Sequence, residues 1–281
     1  MKETLIVVLL VCSNIASGQT IPKSFQDQTT WQTFKYDMGS VIKGIGHAYS
    51  RPTQWKGKQW LNFAGIATGT VLVSFVDDEF DHWVDGFRKD IPNSVLDFGG
   101  RYARPEGNYA LTGAVYFTGL FIKDEKLRRT GILMMASTIT GGFLQQLGVR
   151  ILGRARPLSG ESSGVFDPFL FKEVKGYDSF FSGHTVLSFA NAYAIAKQFK
   201  NPWVKAGIYT VGMIPGFTRI VVSKHWLSDV AFGTVMSILI VESIDKYLDA
   251  RYQQKYNRND KKVSWDLNFA PGQIGLTLRF N

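Results

Sequence analysis

The run SGHTVLSFANAYAIA, residues 182–196, opens on Ser182-Gly183-His184 and continues as an apolar helical segment. Serine is a strong N-cap, and Gly183 lets another group approach the backbone closely. The free N–H groups at such a helix start form an anion site. A fold built on this run is helical and carries its chemistry at helix ends.

Outward from it, further apolar helical segments occupy residues 60–76, 109–122, 131–149, 204–222 and 229–244, separated by charged or turn-rich connections. With residues 185–196 they make an all-α class and a six-helix bundle. Several are short for an unaided crossing of a hydrocarbon core roughly 30 Å thick. From residue 263 to 280 the pattern becomes period-two, with Val263, Trp265, Leu267 and Phe269 before Pro271-Gly272 and Ile274, Leu276, Leu278 and Phe280 after it. That alternation around a turn predicts a short C-terminal β-hairpin.

Two other clusters close helical segments. Arg154-Ala155-Arg156-Pro157 follows 131–149, and Pro157 biases Arg156 out of helical geometry, so that its guanidinium projects from a helix end. Thr218-Arg219 lie at the end of 204–222, and His225 and Asp229 follow it. Four residues apart on a helix, Asp229 can hold the His225 imidazole, fix its tautomer and leave the other ring nitrogen as nucleophile or base. Each cluster alone has an ordinary structural explanation. Their joint occurrence at ends that one bundle brings together points to a site for a tetrahedral anion.

In these residues the sequence resembles the type 2 phosphatidic acid phosphatase / vanadium haloperoxidase superfamily, in its membrane-associated lipid phosphatase branch. The pattern there is Lys-x6-Arg-Pro, Pro-Ser-Gly-His and Ser-Arg-x5-His-x3-Asp, and the match runs from about Val149 to Asp229. The resemblance implies that Arg156, Arg219, Ser182 and Gly183 bind the phosphoryl group. It implies His184 as general acid, His225 as nucleophile through a phosphohistidine, Asp229 as the partner that orients it, and no metal or other cofactor. Three positions depart from the pattern: Val149 stands for the lysine, Phe181 for the proline and Thr218 for the serine. Arg150 or Arg154 is the candidate to supply the missing charge, and Thr218 keeps the hydroxyl.

Lys+Arg 32 against Asp+Glu 23 leaves a formal net charge of +9, which favours anionic partners. Residues 1–18 combine Lys2, an apolar run and Ala16-Ser17-Gly18, the parts of a cleavable signal peptide. A lipid anchor on Cys12 and an uncleaved anchor are the rival readings. The expected layout is a leader (1–18), a polar segment (19–59), a helical phosphatase domain (60–247) and a basic linker with the hairpin (248–281). Basic clusters at one set of helix ends (Lys123, Lys126, Arg128, Arg129; Lys197, Lys200, Lys205; Lys246 and Arg251 onwards) make that face cytoplasmic and the Arg156, Ser182 and Arg219 ends extracytoplasmic. A cleaved leader followed by six full crossings gives the opposite result. The conflict is resolved only if 60–76 does not span, the bundle is partly embedded, or residues 1–18 are not a signal.

The function expected is hydrolysis of a phosphomonoester or pyrophosphate, with a lipid phosphate and the membrane as partners, in the cell envelope. The alternatives are a soluble exported acid phosphatase and a non-catalytic headgroup binder. Nucleic acid is not an expected partner, because no nucleic-acid module accompanies the charge. The oligomeric state stays open.

Overall fold

The computed structural model describes residues 29–169, 176–257, 263–270 and 273–280. The leader with Cys12, the basic residues Arg258, Lys261 and Lys262, and the Pro271-Gly272 turn lie outside them. The described residues form nine α-helices: α1 (Thr30–Ser50), α2 (Gly57–Ser74), α3 (Asp77–Asp85), α4 (Asn93–Tyr102), α5 (Pro105–Phe121), α6 (Glu125–Leu152), α7 (Gly183–Ala196), α8 (Pro202–Val221) and α9 (Leu227–Asn257). Strands β1 (Val263–Ala270) and β2 (Gln273–Phe280) pair antiparallel, with Val263 opposite Phe280.

The six apolar segments lie along α2 and α5 to α9. Hydropathy does not count α1, α3 and α4. The polar stretch before residue 60 contains α1, whose Thr33, Asp37, Ser40 and Val41 are buried. Its polarity concealed it, because its buried polar groups have partners inside the bundle. Arg128 of α6 lies 2.8 Å from Asp37, and Tyr116 of α5 donates to the same carboxylate at 3.2 Å. That buried pair sits ~36 Å along α6 from Leu152, so it braces the end of the bundle opposite Arg154 and Arg156.

Helix α7 occupies the middle, packed against α6, α8 and α9. Its Ala190, Ala192, Ala194 and Ala196 allow three neighbours to approach at once. Leu111, Val115, Tyr116, Leu133, Met134, Ile195, Ile240 and Ile244 fill the main core from α5, α6, α7 and α9. A smaller cluster of Val84, Ile220, Val221 and Val230 ties α3 to α8 and α9.

Helices α5 and α6 pack almost backbone to backbone. A Cβ at Gly131 would stand 2.6 Å from the Cα of Tyr116, and one at Gly119 2.3 Å from the Arg128 nitrogen. Gly131→Ala is therefore expected to destabilise the protein by about 1–3 kcal/mol through overpacking, seen as a lower denaturation midpoint in detergent. An unchanged midpoint would show that the two helices separate freely.

Large apolar side chains also face outward. Leu61 and Leu72 on α2, Phe121 on α5, Phe143 on α6 and Trp203 on α8 are more than half exposed. Residues 125–152 and 227–254 are long and apolar enough to cross a membrane, and α2 with α3, bent by 49°, makes a third span if counted as one. This distribution is that of a membrane-associated bundle. Both long helices meet the clustered polar residues at the same end, α6 through its C-terminus and α9 through its N-terminus.

Candidate active site

The loop after α6 starts from Gly153, whose φ of 54° is the left-handed turn that ends the helix. The chain then doubles back: the Ala155 amide donates to the Val165 carbonyl and the Asp167 amide to the Gly153 carbonyl. This return holds Arg154 inward at 2% exposure.

The Arg154 guanidinium is fully engaged. Its Nη1 donates to Asp229 Oδ1 at 2.6 Å and to Ser228 Oγ at 2.8 Å, its Nη2 to Asp77 Oδ2 at 2.8 Å, and its Nε to the Ser163 carbonyl at 2.9 Å. Asp77 also accepts from the Ser228 amide at 2.9 Å, and Asp78 accepts from the Ser163 amide at 2.9 Å. Arg154 is thus the hub that joins α3, the 153–169 loop and the start of α9. It is not free to replace the missing lysine. Arg150 is exposed on the last turn of α6.

Asp229, fully buried, accepts from Arg154, from the Ser179 hydroxyl and from the Trp226 amide at 2.9 Å. Its relation to His225 differs from the sequence expectation. The His225 Nδ1 lies 2.7 Å from the Ser179 carbonyl oxygen and 3.8 Å from Asp229 Oδ2. A carbonyl only accepts, so the network puts the proton on Nδ1 and leaves the lone pair on Nε2. Asp229 acts on the imidazole from a distance, and through Ser179, whose hydroxyl it receives.

Ser182 caps α7, its oxygen accepting from the Thr185 amide, and its own amide donates to the Asp229 carbonyl. The α7 N-terminus is thereby fastened to the first turn of α9. At Gly183 a Cβ would come within 3.2 Å of the Gln145 side chain, so the glycine meets a close approach from α6. His184 follows in the first turn of α7, a helix too short to cross a membrane. Burial, then Arg219, His225, Lys224 and Arg156 in that order, push its pKa down to about 3. At neutral pH the free imidazole is uncharged.

Arg156 stands in extended geometry before Pro157, and its Nη2 donates to Asp178 at 2.6 Å. Arg219 lies in the last turn of α8, and its Nη2 is 3.6 Å from where a Cβ on Gly100 of α4 would be. Among the described residues, the buried Nε atoms of Arg156 and Arg219 have no acceptor. Charge from Arg156 and Arg104 acts on Arg219. Buried guanidinium donors crowded by other cations favour an anion beside them, and Arg156 and Arg219 form the candidate anion cradle.

Thr218 is not at the cradle. Its hydroxyl donates to the Pro215 carbonyl at 2.9 Å inside α8, and its side chain fills the space that a Cβ on Gly99 would need. It seats α4 on α8. Phe181 is buried, with its ring 3.3 Å from a Cβ position on Gly148, and meets Phe180 and Phe232 edge to face. Phe181 thus fills the space between Gly148 of α6 and Phe232 of α9.

Sequence reasoning missed Asp77, Asp78, Ser179 and Ser163. Asp77-Asp78, an acidic pair directly after an apolar segment, was the available signal. No group of three or more His, Cys, Asp or Glu able to hold a metal ion occurs among the described residues.

The PAP2 superfamily model matches residues 130–251 of the chain. The lipid A 1-phosphatase of Porphyromonas gingivalis is 39% identical over 67 residues, which cover 23% of this chain and 15% of that protein. The lipid A 1-phosphatase of Rhizobium johnstonii is 32% identical over 116 residues, covering 39% of this chain and 46% of that protein. The chain thus spans less than half the length of these relatives. A crystal structure of a transmembrane PAP2 type phosphatidylglycerolphosphate phosphatase from Bacillus subtilis aligns with a TM-score of 0.38 and 15% identity, over 76% of this chain and 96% of that one.

Proposed function

We propose, from a chain that belongs to the PAP2 superfamily through residues 130–251, that it hydrolyses a phosphomonoester or pyrophosphate on a lipid headgroup at the extracytoplasmic membrane face. The observation that carries this reading is the pair of buried guanidinium nitrogens, on Arg156 and Arg219, left without acceptors beside two histidines. Lipid A 1-phosphatases among the relatives make a phosphorylated glycolipid the first substrate class to test.

In this reading Arg156, Arg219 and the Gly183 amide at the start of α7 take the non-bridging phosphoryl oxygens, with the Ser182 hydroxyl beside them. The His225 Nε2 lone pair attacks phosphorus, a P–N bond forms, and the P–O bond to the leaving group breaks. His184 gives its proton to the departing oxygen. Water then attacks the phosphohistidine as neutral His184 removes a water proton; the P–N bond breaks and phosphate leaves. The Ser179 carbonyl and the Asp229 carboxylate stabilise the imidazolium that exists between the two steps.

His184 can serve as acid only if the bound phosphoryl anion offsets the cations that keep it neutral. Binding a dianion should therefore take up a proton at His184. Because the free group binds fewer protons than the bound one, affinity rises as pH falls through the bound-state pKa. Sulfate, a dianion throughout this range, should inhibit more strongly at pH 5.5 than at pH 7.5, and His184→Gln should remove that part of the dependence. Inhibition independent of pH in the wild type would contradict the role given to His184.

The extracytoplasmic placement rests on the basic residues at the far end of the bundle, Arg128 and Arg129 at the start of α6 and Lys197 after α7. The test of the function is phosphate release by the detergent-solubilised chain from a lipid A phosphate, phosphatidate, phosphatidylglycerol phosphate, a polyprenyl diphosphate and a soluble aryl phosphate. Turnover of at least one lipid above the soluble ester supports it. Equal or better turnover of the soluble ester would favour an acid phosphatase, and phosphate binding without any turnover a headgroup binder.

A further inference from the structure

Phosphoryl transfer leaves charge on three equatorial oxygens, and the two arginines of the cradle do not cover it alone. Arg156 already commits one nitrogen to Asp178. Val149 is apolar, Arg154 is committed to Asp77 and Asp229, and Arg150 is exposed. The structure offers a third cation from another place.

At the end of α8 the chain turns sharply, because Ser223 adopts a φ of 51°. A non-glycine residue in that region costs on the order of 1 kcal/mol, so the turn is held by its surroundings. The amides of Lys224 and His225 both donate to the Arg219 carbonyl, at 2.9 and 3.3 Å, and the Ser223 carbonyl accepts from the Leu158 amide at 2.8 Å. The turn is therefore pinned between the Arg219 backbone and the loop that carries Arg156, and it places the Lys224 backbone between them, directly before His225. Among the described residues Lys224 forms no ion pair within 4.0 Å. Burial, then Arg219 and Arg156, hold its ammonium below the usual lysine range against the opposing pull of Asp178, and its charge also acts on His184.

We propose that Lys224 is a third phosphoryl-binding cation of this site, its ammonium covering the oxygen that Arg156 and Arg219 leave unneutralised in place of a charge at Val149. The proposal rests on the phosphatase reading given above. It assigns the strained Ser223 turn a function, which is to deliver a cation directly before His225.

The experiment compares wild type, Lys224→Gln, Lys224→Arg and His225→Asn as full chains in detergent. Lys224→Gln is expected to lower kcat/KM on a phosphate ester by about 100-fold and to weaken binding of inorganic phosphate at least about tenfold. Lys224→Arg, which keeps the charge, should recover most of both. Removing the charge should also raise the pH at which His184 titrates, a shift that loss of packing alone would not produce. Lys224→Gln within threefold of wild type in kcat/KM and phosphate affinity, with His225→Asn inactive, would overturn the proposal and leave the phosphatase reading standing. Equal activity of His225→Asn and wild type would overturn both.

Discussion

His225→Asn is expected to lower phosphate release by about four to six orders of magnitude, the scale on which loss of a nucleophile acts in enzymes with covalent intermediates. Asparagine is the informative replacement because its amide can still donate to the Ser179 carbonyl, now held at 2.7 Å by Nδ1. The hydrogen bond that orients the ring is kept while the Nε2 lone pair is lost. His225→Ala would leave that buried carbonyl unpaired and add a stability cost of about 1–3 kcal/mol, mixing two effects. The variant should still bind phosphate, because Arg156, Arg219 and the start of α7 are untouched. Retained turnover with unchanged kcat would move the nucleophile elsewhere.

Asp77→Ala is expected to destabilise the fold by about 3–5 kcal/mol, the range for removing one partner from a buried ion pair. Arg154 sits between Asp77 and Asp229, with side-chain exposures of 3%, 0% and 0%. Without Asp77 its Nη2 and the Ser228 amide lose their acceptor in a place water does not reach. The damage should also reach the chemistry. Arg154 places Asp229, Asp229 receives the Ser179 hydroxyl, and the Ser179 carbonyl sets the His225 tautomer. Asp77→Ala should therefore lose both denaturation midpoint and kcat, although Asp77 touches no substrate. A midpoint within about 1 kcal/mol of wild type would show that Arg154 finds another counterion and that the relay is not needed.

The parts of this site that were legible in the sequence are those encoded within a few residues. Ser182-Gly183-His184 reads as a capped helix start, and Arg219, His225 and Asp229 as one turn and the helix after it. The structure draws these together with Arg156, as an alternating bundle demands. What was hidden depends on pairs far apart in the chain. Nothing near Arg154 reveals that its partner is Asp77, so a scaffold arginine resembled a spare phosphate ligand. The four-residue spacing of His225 and Asp229 made a direct bond the simplest expectation, yet a backbone carbonyl from Ser179 takes that position. Helix α1 was concealed for a related reason. Asp37 and Ser40 look like surface residues until Arg128 and Tyr116 partner the first and Arg251 the second, and hydropathy cannot register a polar residue whose partner lies on another helix.

The most direct measurement of the central claim is rapid quenching of the chain during turnover of a substrate labelled on its phosphoryl group, followed by peptide mapping. The account predicts an acid-labile, base-stable phosphoramidate on His225, absent from His225→Asn. Substantial turnover with no covalent label, or with the label on another residue, would contradict it.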